Sequence, residues 1–229
     1  MSKIDRGLAL VIFLLFSSSI IFYFYPQADA RFSQLFWLGD HFIFTKQGIG
    51  RIFTVYLHSG MRWIFFTGII IYLLIVLYNK VTSGRDMRPA LRKLAYVVLA
   101  TALSAGLVTN FILKDHWGRA RPLQIEQFGG DKQLTPAWEI SNQCRKNCSF
   151  VGGDVSFAFC LLAPALLVTR RRKLAVIAVC LFGTIVALGR IAAGAHFLSD
   201  CVIGALLTML IVLISYKATD EEKPIHYFP

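Results

Sequence analysis

The sequence predicts an all-α polytopic membrane protein, and three observations carry that prediction. The chain is 56% hydrophobic and only 16% charged, with a mean hydropathy of +0.59, too apolar for an ordinary soluble domain of 229 residues. The apolar residues form runs long enough, at about 1.5 Å of rise per residue, to cross a hydrocarbon core about 30 Å thick. Lys and Arg collect in the short polar connections between those runs, as topology signals do.

Six transmembrane helices follow within one membrane domain covering 1–229, at about 7–25, 61–79, 94–113, 154–169, 174–189 and 197–216. The first run follows Lys3 and Arg6, ends in an aromatic cluster at Tyr25-Pro26, and is longer than a signal-peptide core. It reads as an uncleaved span. Between Gln27 and Arg62 aromatics such as Phe32, Phe36, Trp37, Phe42, Phe44 and Phe53 mix with Gly, His and charges, the pattern of an interfacial amphipathic segment. The second span is followed by Lys80, Arg85, Arg88, Arg92 and Lys93; the third carries Ser104, Gly106, Thr109 and Asn110 as small or polar packing positions. Pro164 is expected to kink the fourth span, after which comes the block Arg170-Arg171-Arg172-Lys173. Six crossings and these two basic connections place both termini in the cytoplasm.

The formal charge of +11 finds its explanation in the membrane. No continuous basic face with interleaved aromatics points to nucleic acid, which is excluded as a partner. Cys160, Cys180 and Cys201 lie in apolar runs and read as buried thiols, whereas Cys144 and Cys148 share the polar loop between Lys114 and Asp154. In an oxidising compartment those two can form a small loop disulfide; otherwise they are free thiols. Nothing in the His and Cys spacing supports a metal site, and no cofactor is implied. The oligomeric state is not legible.

The same loop is rich in cations although it lies on the exported side, where cations are disfavoured, which hints that they have a task. A phosphate monoester needs several preorganised N–H donors, and Lys114, Arg121 and Arg190 are candidates. His196 can attack phosphorus if a carboxylate holds the proton on its other ring nitrogen, and Asp200, one helical turn on, has that reach.

These residues stand in a recognisable order. Lys114 with Arg121-Pro122 fits K-x6-R-P, and Arg190, His196 and Asp200 fit S-R-x5-H-x3-D at every named position but the serine. The chain therefore resembles the type 2 phosphatidic acid phosphatase superfamily of integral membrane lipid phosphatases. The resemblance implies that Lys114, Arg121 and Arg190 bind phosphate, that His196 is the nucleophile forming a phosphohistidine, and that Asp200 orients it. Two departures stand out. The family's P-S-G-H is here Val151-Gly152-Gly153-Asp154, and Gly189 replaces the serine of the third block. Gly152 and Gly153, at an expected helix start, can offer backbone N–H groups to an anion. Asp154 stands where the family has its general-acid histidine. It is a working acid tuned by substrate phosphate, or a residue of little consequence in an enzyme with an easy leaving group, or the mark of an inactive variant.

By this resemblance the expected partner is a phosphorylated lipid in a bacterial-type inner membrane, cleaved on the periplasmic face. Lipid A-type substrates come first, with phosphatidylglycerol phosphate, phosphatidic acid and polyprenyl pyrophosphate also compatible. A lipid phosphotransferase and a non-catalytic lipid-phosphate binder are the alternatives. Arg119 is read as touching phosphate or headgroup, His116 as structural, and Trp117 and Trp138 as interface anchors.

Overall fold

The computed structural model describes residues 2–44, 50, 57–84 and 86–219. Among them the all-α expectation is borne out: two isolated β-bridges, Trp37 with Phe42 and Ile125 with Lys132, are the extent of extended pairing. Phe53, Arg85 and the tail from 220 onward lie outside the described residues.

Among the described residues five helices are long and apolar enough to cross a membrane. Helix α1 (Lys3–Phe24) opens on a capping box between Ser2 and Asp5, which satisfies amide groups that a helix start leaves unpaired. It runs along the last helix, α8 (Leu198–Ala218), to which Asp5 is tied by an ion pair with Lys217. Helix α2 (Gln27–Gln34) is the helical part of the expected interfacial segment. Helix α3 (Leu57–Ser83) precedes α4 (Arg88–Thr101), which continues without a break as a π-helix over Ala102–Lys114. Wide turns of this kind are rare and gather at functional sites.

The fourth span departs from expectation. It consists of two short helices, α5 (Gly153–Cys160) and α6 (Leu162–Leu167), interrupted at Leu161. Pro164 has no N–H for the carbonyl of Cys160, so the break falls one residue after that carbonyl. The pair reaches only roughly 22 Å, short of the full hydrocarbon thickness. A short element is tolerated because α5 lies inside the protein: Val155, Ser156, Ala158 and Cys160 are fully buried, among the π-helix, α7 (Arg172–Ala192) and α8. Small and hydroxylated residues let these backbones approach. Thr109 donates to Ser156 Oγ, and Ser156 Oγ donates to the Gly204 carbonyl, the polar contacts used between helices in lipid.

Trp117 and Trp138 are not simple interface anchors. They pack edge-on to each other and against Phe150, with ring centroids 4.9–5.8 Å apart, making a small core beneath the Lys114–Asp154 loop. A second aromatic group, Trp37, Phe42 and Phe128, fastens the segment after α2 to the same loop.

Candidate active site

The cation cluster is assembled by helix ends. Lys114 closes the π-helix and Arg190 occupies the last turn of α7. Asp154 sits in the first turn of α5, its Oδ2 2.9 Å from Arg190 Nε. Gly153 lies between them for steric reasons. A Cβ there would stand 3.1 Å from Lys114 Nζ and 3.1 Å from Asn110 Oδ1, so a side chain would make both groups give way by a few tenths of an ångström. Arg121 enters from the loop, its Nη2 donating to the Asn147 carbonyl at 2.8 Å. Burial first, and then repulsion from Arg190, hold the Arg121 guanidinium below its usual pKa range, which raises the gain from meeting an anion. Three cations and one carboxylate leave two net positive charges, the complement of a phosphate monoester dianion.

His196 reaches this cluster by a tight turn after α7. Gly194 has φ +63°, and a Cβ on it would stand 2.4 Å from Phe42 Cδ2; only glycine meets both conditions. The imidazole is fully buried. Its Nδ1 is 2.8 Å from the Ser149 carbonyl. A carbonyl only accepts, so Nδ1 carries the proton and Nε2 keeps its lone pair. Nε2 is buried and has no hydrogen-bond partner among the described residues. Burial above all, then the charges of Arg121, Lys114 and Arg190, hold the imidazole well below its ordinary pKa, with Asp154 opposing. A neutral ring with a bare nitrogen, under the influence of three nearby cations, can attack an electrophile that those cations bind. The ring is expected to stay neutral as pH falls through about 6.5, where an unperturbed histidine is half protonated. Carbon-13 NMR of histidine-labelled protein tests this: the His196 resonance stays fixed from about pH 7.5 to 6, and a midpoint in that interval would contradict the assignment.

Two expected contacts are not made. Asp200 Oδ2 lies 3.9 Å from His196 Nδ1, too far for a hydrogen bond; the Ser149 carbonyl takes that place. The carboxylate instead accepts from Ser149 Oγ at 2.5 Å, Phe197 N at 2.8 Å and Arg119 Nη1 at 2.6 Å. Asp200 thus reaches the imidazole through Ser149. Gly152 N–H donates to the Asp200 carbonyl at 2.9 Å and is not a donor for phosphate, whereas Gly153 and Asp154 open α5, where first-turn amides have no partner within the helix.

Arg119 also departs from its sequence reading. It is fully buried, with Nη2 2.8 Å from Asp29 Oδ2, Nη1 bonded to Ser199 Oγ at 2.7 Å as well as to Asp200, and Nε and Nη2 on the Thr135 carbonyl. Its guanidinium lies 4.5 Å from the Phe197 ring centroid. It touches no phosphate site; it clamps α2, the loop and the start of α8 together. Although burial works against its charge, Asp200 and Asp29 hold its pKa above the ordinary value. Asp29, Ser149 and Ser199 escaped the sequence reading. Asp29 is 170 residues from Ser199, which donates to it through both N and Oγ, and no local pattern announces such a pair. His116 is exposed, with Nδ1 against the Phe111 carbonyl. Cys144 and Cys148 are disulfide-bonded. Among the described residues no group of three or more His, Cys, Asp or Glu is placed to hold a metal ion.

Helices crossing a membrane, with a histidine nitrogen set among phosphate-complementary cations at their ends, define a membrane-embedded phosphatase. The family model that matches residues 93–224 is that of the PAP2 superfamily, and the chain belongs to it. The chain is similar to the lipid A 4'-phosphatase of Francisella tularensis subsp. novicida (strain U112), at 35% identity over 91% of this chain and 93% of that protein. The lipid A 4'-phosphatase of Rhizobium etli is 32% identical over 89% of this chain and 83% of its own length. That of Rhizobium leguminosarum is 28% identical, over 89% and 92%. No solved structure matches.

Proposed function

We propose that this protein hydrolyses the phosphate monoester of a lipid A-type substrate in a bacterial inner membrane, on the periplasmic side. The observation that carries the reading is the buried, unpartnered His196 Nε2 beside Lys114, Arg121 and Arg190, in a chain similar over most of its length to lipid A 4'-phosphatases. The disulfide in the Lys114–Asp154 loop supports an oxidising compartment on that face, and the basic connections on the opposite face support cytoplasmic termini. The helix-end placement lets the lipid keep its chains in the bilayer while its phosphate meets the cations.

In this mechanism Lys114, Arg121, Arg190 and the amides opening α5 bind the phosphate oxygens. His196 Nε2 forms a bond to phosphorus while the bond from phosphorus to the sugar oxygen breaks. Asp154 gives that oxygen its proton. Water then attacks the phosphohistidine, losing a proton to Asp154, and His196 leaves as the neutral ring. A 4' oxygen of a sugar belongs to an alcohol, not to an anomeric centre, so it is a poor leaving group and needs the proton. This favours the working-acid reading of Asp154. A bound dianion supplies the neighbouring negative charge that raises the proton affinity of Asp154 and competes with it for Arg190. Asp154→Asn is expected to lower kcat on the lipid monoester about 10²- to 10⁴-fold, and much less on a pyrophosphate, whose leaving group needs little protonation; equal loss on both would remove Asp154 as the acid.

A turnover screen across lipid A-type, phosphatidylglycerol phosphate, phosphatidic acid and polyprenyl pyrophosphate lipids tests the substrate, with His196→Ala as blank. Fastest phosphate release from the lipid A-type substrate is expected, and faster release from any other class overturns the assignment.

A further inference from the structure

We infer that the disulfide-closed turn ending in Asn147, Cys148 and Ser149 is a positioning device for the site, and that opening the Cys144–Cys148 bridge weakens phosphate binding by releasing Arg121. The inference rests on the role proposed above for Arg121 in binding phosphate.

Three consecutive residues of this turn are laced to the segment that carries two of the cations. Asn147 N–H donates to Asp115 Oδ1 at 3.2 Å, Cys148 N–H to the Lys114 carbonyl at 3.0 Å, and Ser149 N–H to the Arg119 carbonyl at 3.0 Å. In the opposite sense, the Asn147 carbonyl accepts from Arg121 Nη2 at 2.8 Å and the Ser149 carbonyl accepts from His196 Nδ1 at 2.8 Å. The turn thus holds one phosphate-cluster guanidinium and one imidazole by main-chain carbonyls whose direction depends on the backbone path.

Beyond those three N–H bonds, the turn itself runs through exposed residues without regular structure. Asn147 has φ +55°, a left-handed conformation that asparagine tolerates better than most residues. Arg145, Lys146 and Asn147 are exposed, and residues 139–152 form no helix or strand. Cys148, by contrast, is completely buried. The bridge joins this buried anchor to Cys144 across the exposed residues, and so limits the conformations open to the Asn147 carbonyl. With the bridge open, that carbonyl relies on the Asn147 and Cys148 N–H bonds for its direction, so the acceptor that aims Arg121 against the repulsion of Arg190 is held less firmly.

The experiment uses the full-length protein in detergent, oxidised or treated with dithiothreitol. Each reduced bridge takes two electrons and two protons to give the Cys144 and Cys148 thiols, while dithiothreitol leaves as its cyclic disulfide; thiol counting shows that the bridge has opened. Two quantities are read: KM for the phosphorylated lipid, and the Kd of inorganic phosphate by calorimetry, which needs no turnover. Both are expected to rise about tenfold on reduction, the scale of one misplaced hydrogen bond to a charged group. The Cys144→Ser/Cys148→Ser protein should match the reduced form. Arg121→Lys supplies the discriminating arm, because lysine lacks the Nη2 that Asn147 holds. In that background reduction is expected to change the phosphate Kd by less than about twofold, since the interaction it breaks is already gone. Unchanged constants in thiol-counted reduced protein would overturn the inference. So would equal weakening with and without the Arg121 guanidinium, which would make the bridge a general brace. Redox-dependent phosphate binding without phosphate release from any lipid would leave the inference standing and overturn the proposed function instead.

Discussion

His196→Ala is expected to abolish phosphate release, with a loss of at least about 10⁴-fold in kcat. The size follows from the site's economy of parts. Among the described residues His196 Nε2 is a buried nitrogen base without a partner, and the surrounding cations stabilise transferred charge but supply no electron pair. Truncation also leaves the Ser149 carbonyl without its 2.8 Å partner, at a cost of about 1–3 kcal/mol if nothing replaces it. The loss of activity must therefore be separated from loss of fold. Inorganic phosphate titrated into the variant does this: near-normal affinity shows that Lys114, Arg121 and Arg190 are still in place. Brief reaction with labelled substrate followed by alkaline quench should trap label on the wild-type protein, where phosphohistidine survives, and none on the variant. Residual turnover above about a tenth of wild type would assign attack to another group or to water directly.

How much of this was legible in the sequence follows from the range of the interactions involved. The spans were readable because hydrophobic length is a local property, and Lys114, Arg121, Arg190 and His196 because a phosphate site fixes their order and spacing. The structure brings those four together, as their charge interactions with one another show. The identity of the group on His196 Nδ1 was not readable. An aspartate at i+4 has the right reach on an ideal helix, but Asp200 lies on α8 while His196 precedes its N-cap, Phe197. The carboxylate therefore turns back onto the amide of Phe197 and the hydroxyl of Ser149. A backbone carbonyl leaves no trace in a residue pattern, so Ser149 had no signal to offer. The shortness of the fourth span was half visible in Pro164, whereas the burial that makes it tolerable depends on three other helices.

Arg119 is the position where a single substitution should damage the fold most. Its side chain joins Asp29 on α2 to Asp200 and Ser199 on α8, and all four residues are fully buried. The oxygens of Asp29 accept from Ser199 N, Ser199 Oγ and Arg119 Nη2, donors all, which is the pattern of an ionised carboxylate. Arg119→Met keeps most of the volume but leaves two carboxylates buried without their cation, at an expected cost of about 3–5 kcal/mol. Arg119→Lys restores a charge but not the fork, since one ammonium cannot meet Asp29, Asp200, Ser199 and the Thr135 carbonyl from a single point. It should recover only part of the loss. Adding Asp29→Asn to Arg119→Met removes one of the stranded charges and is expected to raise the melting temperature above that of Arg119→Met alone, a coupling that independent sites would not show. The kinetic signature follows from what Arg119 touches. It holds Asp200, Asp200 holds Ser149, and Ser149 orients His196, whereas no cation of the phosphate cluster bonds to it. In the Arg119→Lys protein kcat should therefore fall about tenfold or more, with KM changed far less. A rise in KM at constant kcat would place Arg119 in substrate binding instead, and a melting temperature unchanged in Arg119→Met would mean that the buried carboxylates had taken up protons in place of their partner.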